Sequence, residues 1–233
     1  MATTYPLTWD GTGERRYESG ISKGVLYILD NNVYGNGVAW NGLISVSNSP
    51  DGAEPNELWA DNIKYAILRS AETMGLTIEA YTYPPEFEQC DGMATPTGAN
   101  GLVIGQQARK TFGFCYRTEI GTDANSAAGY KLHLVYGCTA TPSDKDYETI
   151  NDNPDAITFS WEIDTVPEAF TGDYANTYKP VSEIVIDSTQ VSTAANLTAL
   201  ENALYGTSGT GNQAYLPSPT QVINFIKTGT AAG

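Results

Sequence analysis

His133 is the single histidine in a chain of 233 residues, so nucleophilic chemistry of the Ser-His-Asp or Cys-His kind would have to run through it. It falls in the stretch YKLHLVYGC, where Lys131, His133 and Val135 alternate with Leu132, Leu134 and Tyr136, and its plain reading is a polar-face strand residue. Glu79, Glu86, Glu88, Glu162 and Asp164 offer carboxylates for glycoside hydrolysis, which needs two carboxyl groups about 5 to 9.5 Å apart. Sequence does not show that separation. Cys90, Cys115 and Cys138 contain no CxxC pair and have one histidine to join them, which is no zinc set. An odd number of cysteines in a chain of this length reads as free thiols in a reducing cell. Asp30, Asn31 and Asn32 lack the spaced oxygens and closing glutamate of a calcium loop and read as a turn. No Walker-A or GxGxxG pattern occurs. The expectation is a protein that is not an enzyme, with no catalytic residues, no cofactor and no metal.

The balance of 27 Asp plus Glu against 12 Lys plus Arg gives a formal net charge of -15. Clustered Lys and Arg supply most non-specific affinity for nucleic acid, and the longest basic runs here are Arg15-Arg16 and Arg109-Lys110. A surface past which DNA slides without sticking would share this balance, although screening over about 8 Å leaves only the nearest charges effective. MATTYPLTWDG has no secretory-leader pattern, and no apolar run approaches the roughly 20 residues of a membrane helix. The expectation is a soluble chain made in the cytoplasm, with no membrane partner.

The elements that must position these residues are mostly strands. Residues 1–20 show no period and read as an extended N-terminal arm, and 21–233 as one β domain. Residues 24–29, GVLYIL, make a strand. The stretch 40–83 organises the chain: a strand at 42–46, a projecting acidic loop at 48–56, a single strand at 58–69 and another at 76–83. Residues 109–120 and 130–138 make a second hairpin, followed by an acidic loop at 144–155 and strands at 156–163 and 181–187. A helix fits 193–205, where Leu197, Leu200 and Leu204 share a face, Ser192 or Thr193 can cap and Gly206 ends it. Ser218 and Pro219 open a short last helix near 219–227. The fold class is therefore mainly β, with long hairpins each having one packed face and one wet face.

Phrases through nearly the whole chain resemble the major tail, or tail tube, proteins of long-tailed bacteriophages, chiefly siphophages of Gram-positive hosts. They are GVAWNGLISVSNSPDGAEPNELWADNIKY, SAETMGLTIEAYTYPPEFEQCDG, RKTFGFCYRTEIG, GYKLHLVYG, ITFSWEIDTVPEA with KPVSEIVIDS, and YLPSPTQVINFI. The resemblance implies a β-sandwich or half-barrel flanked by a helix, with the inner barrel closed between subunits. It implies hexameric rings stacked into a tube for genome ejection, in the virion tail after assembly in the host cytoplasm. The implied partners are copies of the chain itself, a tape-measure protein in the lumen, tail terminator and distal tail or baseplate proteins at the ends, and DNA in transit without specific binding.

On that reading the lumen face takes Ser45, Ser47, Asn62, Lys64, Arg117, Glu119, Lys131 and His133. The core face takes Ile63, Tyr65, Ile67, Phe112, Phe114, Tyr116, Leu132 and Leu134. Asp51, Glu54 and Glu57 belong to a loop reaching an adjacent subunit or the next ring. This lumen set is more basic than acidic, which a non-sticky bore should not be. Either Asp51, Glu54, Glu57 and Asp61 offset it, or one strand faces the other way, since a one-residue slip inverts a strand. The alternative reading is a carbohydrate-binding β-sandwich of a phage baseplate or surface protein, in which the four tryptophans and fifteen tyrosines supply an exposed aromatic platform.

Overall fold

The computed structural model of the chain describes residues 9–52, 55–69, 72–99, 101–147, 149, 156–209 and 211–232. Its strands in chain order are β1 (Arg16–Asp30), β2 (Val33–Tyr34), β3 (Val38–Trp40), β4 (Leu43–Gly52), β5 (Pro55–Ala60), β6 (Ile63–Arg69), β7 (Glu72–Ala80), β8 (Phe112–Thr122), β9 (Gly129–Ala140), β10 (Phe159–Thr165) and β11 (Glu183–Asp187). Two helices follow, α1 (Ala194–Tyr205) and α2 (Pro219–Thr228). One antiparallel sheet runs β1–β8–β9–β10–β7–β4, with β2 and β3 beside β1 and β11 beside β9, while β5 and β6 form a separate two-stranded ladder.

The sheet turns a corner at β9. One edge of this strand pairs with β11 through residues 131–135 and with β10 through residues 138–140. Gly137 lies between the two, at φ +61, with the Val166 carbonyl so close that a Cβ would sit 2.1 Å from its oxygen. Only glycine combines that backbone with that approach. Beyond the corner, β10–β7–β4 lies over β1–β8–β9, and side chains from both layers fill one core: Leu76, Ile78, Trp161 and Ile163 against Leu26, Phe112, Phe114 and Val135. This is a half-barrel closed around an apolar interior.

Aromatic rings dominate that interior. Trp40 lies 4.5 Å from Phe87 and 5.6 Å from both Phe114 and Trp161, centroid to centroid, in tilted or edge-on geometry. Each such pair adds about 0.5–1.5 kcal/mol beyond the area buried. Phe87 comes from the 3-10 turn Pro85–Gln89, which follows Pro84 and plugs the core between β7 and β8.

The opposite face of β1–β8–β9–β11 is covered by the helices. Val25, Tyr27, Cys115, Leu132, Leu134 and Tyr136 pack there against Leu197, Leu200, Leu204, Val222 and Phe225. Two buried tyrosines fix the layers: Tyr27 donates to the Leu204 carbonyl at 2.6 Å and Tyr136 to the Pro217 carbonyl at 2.9 Å. Burial pushes both hydroxyls far above the usual tyrosine range, so they remain donors. Ser218 and Gln221 form a capping box on α2, and Gly229 ends it in a left-handed conformation. Thr193 stands at the start of α1 without a side-chain cap, and Gly206 follows its last residue. Among the described residues no helix is long and apolar enough to cross a membrane.

Three sequence expectations need correction. Residues 58–69 are not one strand: Asp61 and Asn62 adopt φ +51 and +63, the backbone of a two-residue hairpin turn, and split the stretch into β5 and β6. Most of the supposed loop 48–56 is strand, because β4 pairs with β7 as far as Gly52↔Glu72. The arm read at residues 1–20 is strand from Arg16, where β1 pairs with β8 at Arg16↔Thr122, and residues 1–8 lie outside the described residues.

Gly137→Ala should destabilise the protein by roughly 2–5 kcal/mol, the sum of a left-handed backbone cost and a clash with carbonyl backbone that cannot rotate away. Urea denaturation followed by tryptophan fluorescence measures it. A midpoint equal to wild type would show that the corner does not depend on this glycine.

Candidate functional site

The ladder β5–β6 keeps step with β4–β7. Gly52 pairs with Glu72 and Pro55 with Arg69, each three residues further along its own strand, so the four strands belong to one long hairpin with its tip at Asp61 and Asn62. Among the described residues no second layer lies beneath the tip. Alternation places Glu57, Trp59, Lys64 and Ile67 on one face and Asn56, Leu58, Ile63, Ala66 and Leu68 on the other. Both faces are open: Trp59 is 64% exposed, Tyr65 73% and Ile63 63%, and Leu58, Ile67 and Leu68 are exposed too. Lys64 and Glu57 form an ion pair across the first face. Ile63, Tyr65 and Ile67 are therefore not core residues, because a two-stranded ribbon has no interior in which to bury them. Isolated ribbons of this kind are marginal in water, and contiguous exposed apolar surface marks a contact with another molecule.

The outer face of β4–β7–β10 has a different chemistry. Cross-strand register builds three rows: Ser45–Glu79–Ser160, Ser47–Thr77–Glu162, and Ser49–Gly75–Asp164, the last continuing to Thr139 of β9. Every side chain in these rows is serine, threonine or carboxylate. The Ser45 hydroxyl donates to Glu79 Oε2 at 2.8 Å, and Glu162 and Asp164 are open to solvent. An open depression of about 630 Å³, lined among others by Ser49, Thr73, Gly75, Thr77, Glu162 and Asp164, lies on this face. Glu162 and Asp164 project side by side from one strand rather than across a cleft from each other, which is not the arrangement of a glycosidase pair. Glu86 and Glu88 lie apart, in the 3-10 turn. No aromatic side chain stands in these rows, so they offer no stacking platform for a sugar.

His133 lies in a third place, inside the mouth of the half-barrel. Its ring stacks on Tyr116 at 4.5 Å and 5°, with Nδ1 2.9 Å from Glu183 Oε1 and Nε2 3.2 Å from Thr118 Oγ1. The Thr118 hydroxyl also donates to Glu18 Oε1, so the same threonine links the ring to β1. Lys131 pairs with the same Glu18 carboxylate, and Glu183 also accepts from Asn48 of β4 at 3.2 Å. Burial pushes the Glu18 carboxyl up, but hydrogen bonds from Lys131 and Thr118 outweigh it and hold the group below the usual carboxylate range. The cluster joins β1, β8, β9, β11 and β4, and so ties the base of the long hairpin to the body. Among the described residues there is no group of three or more His, Cys, Asp or Glu able to hold a metal ion.

The eight residues assigned from sequence to one face occupy four places. Ser45 and Ser47 share the outer face of β4–β7–β10. Asn62 is in the hairpin turn and Lys64 on the ribbon. Lys131 and His133 meet at the barrel mouth. Arg117 and Glu119 pair with each other at 2.6 Å on the helix-covered side of β8, with the Arg117 guanidinium over the Tyr130 ring. The physical reason is register: residues directly opposite in an antiparallel pair share a face, and Arg117 opposes Leu132 while Tyr116 opposes His133. For the same reason Phe112, Phe114 and Tyr116 are buried on one side of the sheet and Leu132 and Leu134 on the other. Glu57 lies on the ribbon, while Glu54 and the Asp51 side chain fall outside the described residues. Sequence reasoning missed Glu18 and Glu183, because no spacing within the chain links them to His133. It noticed Glu79, Glu162 and Asp164 as carboxylates but not that they share a face, for which the signal was the matching alternation TIEA and SWEID.

No protein-family model and no curated protein matches the chain. Among solved structures, the chain is similar to one in the PVC sheath-tube complex, in extended state, of an extracellular contractile injection system. The identity is 11%, the match covers 71% of this chain and 88% of that one, and the TM-score is 0.35. It is also similar to a chain of the six-fold symmetrised baseplate of the anti-feeding prophage, at 8% identity over 77% of this chain and 97% of that one, with a TM-score of 0.30. Likeness of this extent carries no inference about what the chain does.

Replacing the ring while keeping the stack separates the polar contacts from the packing. His133→Phe should cost about 1–3 kcal/mol, because the half-buried Glu183 and Thr118 lose a hydrogen-bond partner. Equilibrium urea denaturation reads this directly, and an unchanged stability would show that the cluster contributes nothing to holding β4 against the body.

Proposed function

We propose that the chain is a structural protein of a bacteriophage-type tail tube, working as a polymer of itself and catalysing nothing. The observation that carries this reading is the ribbon β5–β6, whose apolar side chains stand in solvent on both faces. Burying one large apolar side chain is worth about 1.5–3 kcal/mol, and six of them on one projecting tip give copies of the chain a strong reason to associate. The sequence resemblance supplies the finer form: hexameric rings, stacked into a hollow tube that holds a tape-measure protein during assembly and then passes the genome. Terminator and distal tail proteins would cap its ends, and its place is the tail of the virion.

On this reading the bore is lined by the outer face of β4–β7–β10, not by the mixed set taken from sequence. Its rows of serine, threonine and carboxylate offer DNA no cation and no apolar wedge, and the carboxylates repel phosphate at short range. That disposes of the excess of basic residues which the sequence-derived set would have put in the lumen. Ser45 and Ser47 belong to both versions, and Glu79, Glu162 and Asp164 supply the missing negative charge.

Negative-stain microscopy of concentrated protein should show rings or tubes. A second sample, with residues 57–67 replaced by Asn-Gly so that Asn56 and Leu68 close a two-residue hairpin, should stay folded and monomeric. Dispersed single molecules from the wild-type chain at all concentrations would overturn the proposal. Glu162→Lys with Asp164→Lys should leave assembly intact but make the particles retain DNA in a salt-dependent manner. Assemblies of this variant that bind no more DNA than wild type would remove the β4–β7–β10 face from the bore.

A further inference from the structure

Every strand packed around His133 brings a charged or polar group to it. From β1 come Glu18 and, further out, Arg16; from β8, Thr118 and the Tyr116 ring; from β11, Glu183 and Asp187; from β4, Asn48; and β9 itself adds Lys131. Arg16 and Asp187 offset each other at Thr189. The guanidinium reaches Thr189 Oγ1 at 3.3 Å, and Asp187 Oδ1 accepts from the Thr189 N–H at 2.8 Å and its hydroxyl at 2.6 Å. Lys131 is paired with Glu18. Glu183 is left over: its side chain is only 18% exposed, and among the described residues its one ion-pair partner is His133. Its other contact is the neutral Asn48 amide, which is also bonded to the Tyr116 hydroxyl. Burial pushes that hydroxyl far above the usual tyrosine range, so it adds no charge. With a neutral imidazole, the three carboxylates of Glu18, Glu183 and Asp187 face the two cations of Arg16 and Lys131. A protonated His133 supplies the third cation, next to the carboxylate that lacks one.

We infer that His133 is a proton-operated latch on the base of the long hairpin, closed when the ring is charged and slack when it is neutral. The link runs from the ring through Glu183 to Asn48, which stands in β4 opposite Leu76 of β7. A charged ring donates from both nitrogens, Nδ1 to Glu183 and Nε2 toward Thr118 Oγ1 and the Glu18 carboxylate 3.6 Å away. A neutral ring has one N–H, and the half-buried Glu183 then keeps its charge without a cation. Imidazole ordinarily titrates between about pH 5 and 8. The contribution of the ring is therefore present at mildly acidic pH and lost as the pH rises and the proton leaves. The carboxylates set the lower limit. Burial pushes Glu18 up, but its bonds from Lys131 and Thr118 hold it below the usual range, so its share is lost only as the pH falls through that lowered value. Because β4 and β7 lead into the β5–β6 ribbon, the latch governs how firmly the ribbon is presented. It belongs to the single chain and does not depend on the tube reading.

Amide hydrogen exchange of the dilute full-length chain tests the latch, read at about pH 5.5 and about pH 8 and corrected for the intrinsic effect of pH on exchange. Relative to the amides of α1, which the cluster does not touch, those of β4 and β7 should be roughly threefold better protected at the lower pH. His133→Gln keeps a neutral donor in place of the ring and should show the same relative protection at both pH values. Asn48→Ala, at an exposed position, cuts the link on the β4 side and should remove the response while the histidine stays; it also serves where the buried substitution fails to fold. A response in the wild-type chain that is lost in the folded variants supports the latch. Equal protection of the wild-type hairpin at both pH values, better protection at the higher one, or a response that survives in a folded variant overturns it and leaves the tube reading untouched.

Discussion

A two-stranded ribbon has two faces and no interior, and that geometric fact governs what this chain can be. Wherever β4 and β7 run beside β10 they are part of a barrel wall, with Val46, Leu76 and Ile78 facing the aromatic core and serine, threonine and carboxylate facing out. Beyond the body the same hairpin continues as β5–β6, and the strand pattern no longer has a wall to belong to. Apolar residues then occupy both faces. In a monomer this is a cost without return, since an exposed ribbon neither buries its side chains nor nucleates anything else. It becomes favourable when another molecule covers it.

Much of the body could be read from alternation alone. The strands β8, β9, β10 and β11, both helices and the opening of the second helix at Ser218 and Pro219 all stand close to where hydrophobic period and punctuation place them. What alternation cannot give is the phase between strands. Arg117 and His133 were each correctly placed on a polar position of their own strand, yet they lie on opposite sides of the sheet, because the register Arg117↔Leu132 is set by pairing and not by composition. The same gap explains why Phe114 and Leu134 both read as core and turned out to occupy separate cores, one inside the half-barrel and one beneath the helices.

The ribbon was misread for a local reason. Asp61-Asn62 lacks the glycine that usually announces a two-residue hairpin, so 58–69 presented one uninterrupted alternation. Asn and Asp tolerate the left-handed backbone through their own short polar side chains, at φ +51 and +63 here, and the signal was present but weak. Once the turn is placed, Ile63, Tyr65 and Ile67 lose the wall they were expected to pack against. The exposed tip is thus the consequence of one dipeptide.

A sheet of this size makes more faces than one chain can cover, and the chemistry of each face records how it is dealt with. The interior of the half-barrel is closed by the sheet's own turn at Gly137. The far side of β1–β8–β9–β11 is closed by α1 and α2, with Tyr27 and Tyr136 giving their hydroxyl protons to helix-side carbonyls so that neither hydroxyl is stranded. The outer side of β4–β7–β10 is left bare and is furnished with groups that lose nothing in water: Ser47, Thr77, Glu162 and Asp164 are as well solvated there as anywhere. The ribbon and the exposed Leu102, Val103 and Ile104 are left bare and are furnished with groups that water does not satisfy. Bare polar surface is stable as it stands, whereas bare apolar surface gains free energy only when something covers it, so the two kinds of open face on this one chain have opposite relations to water.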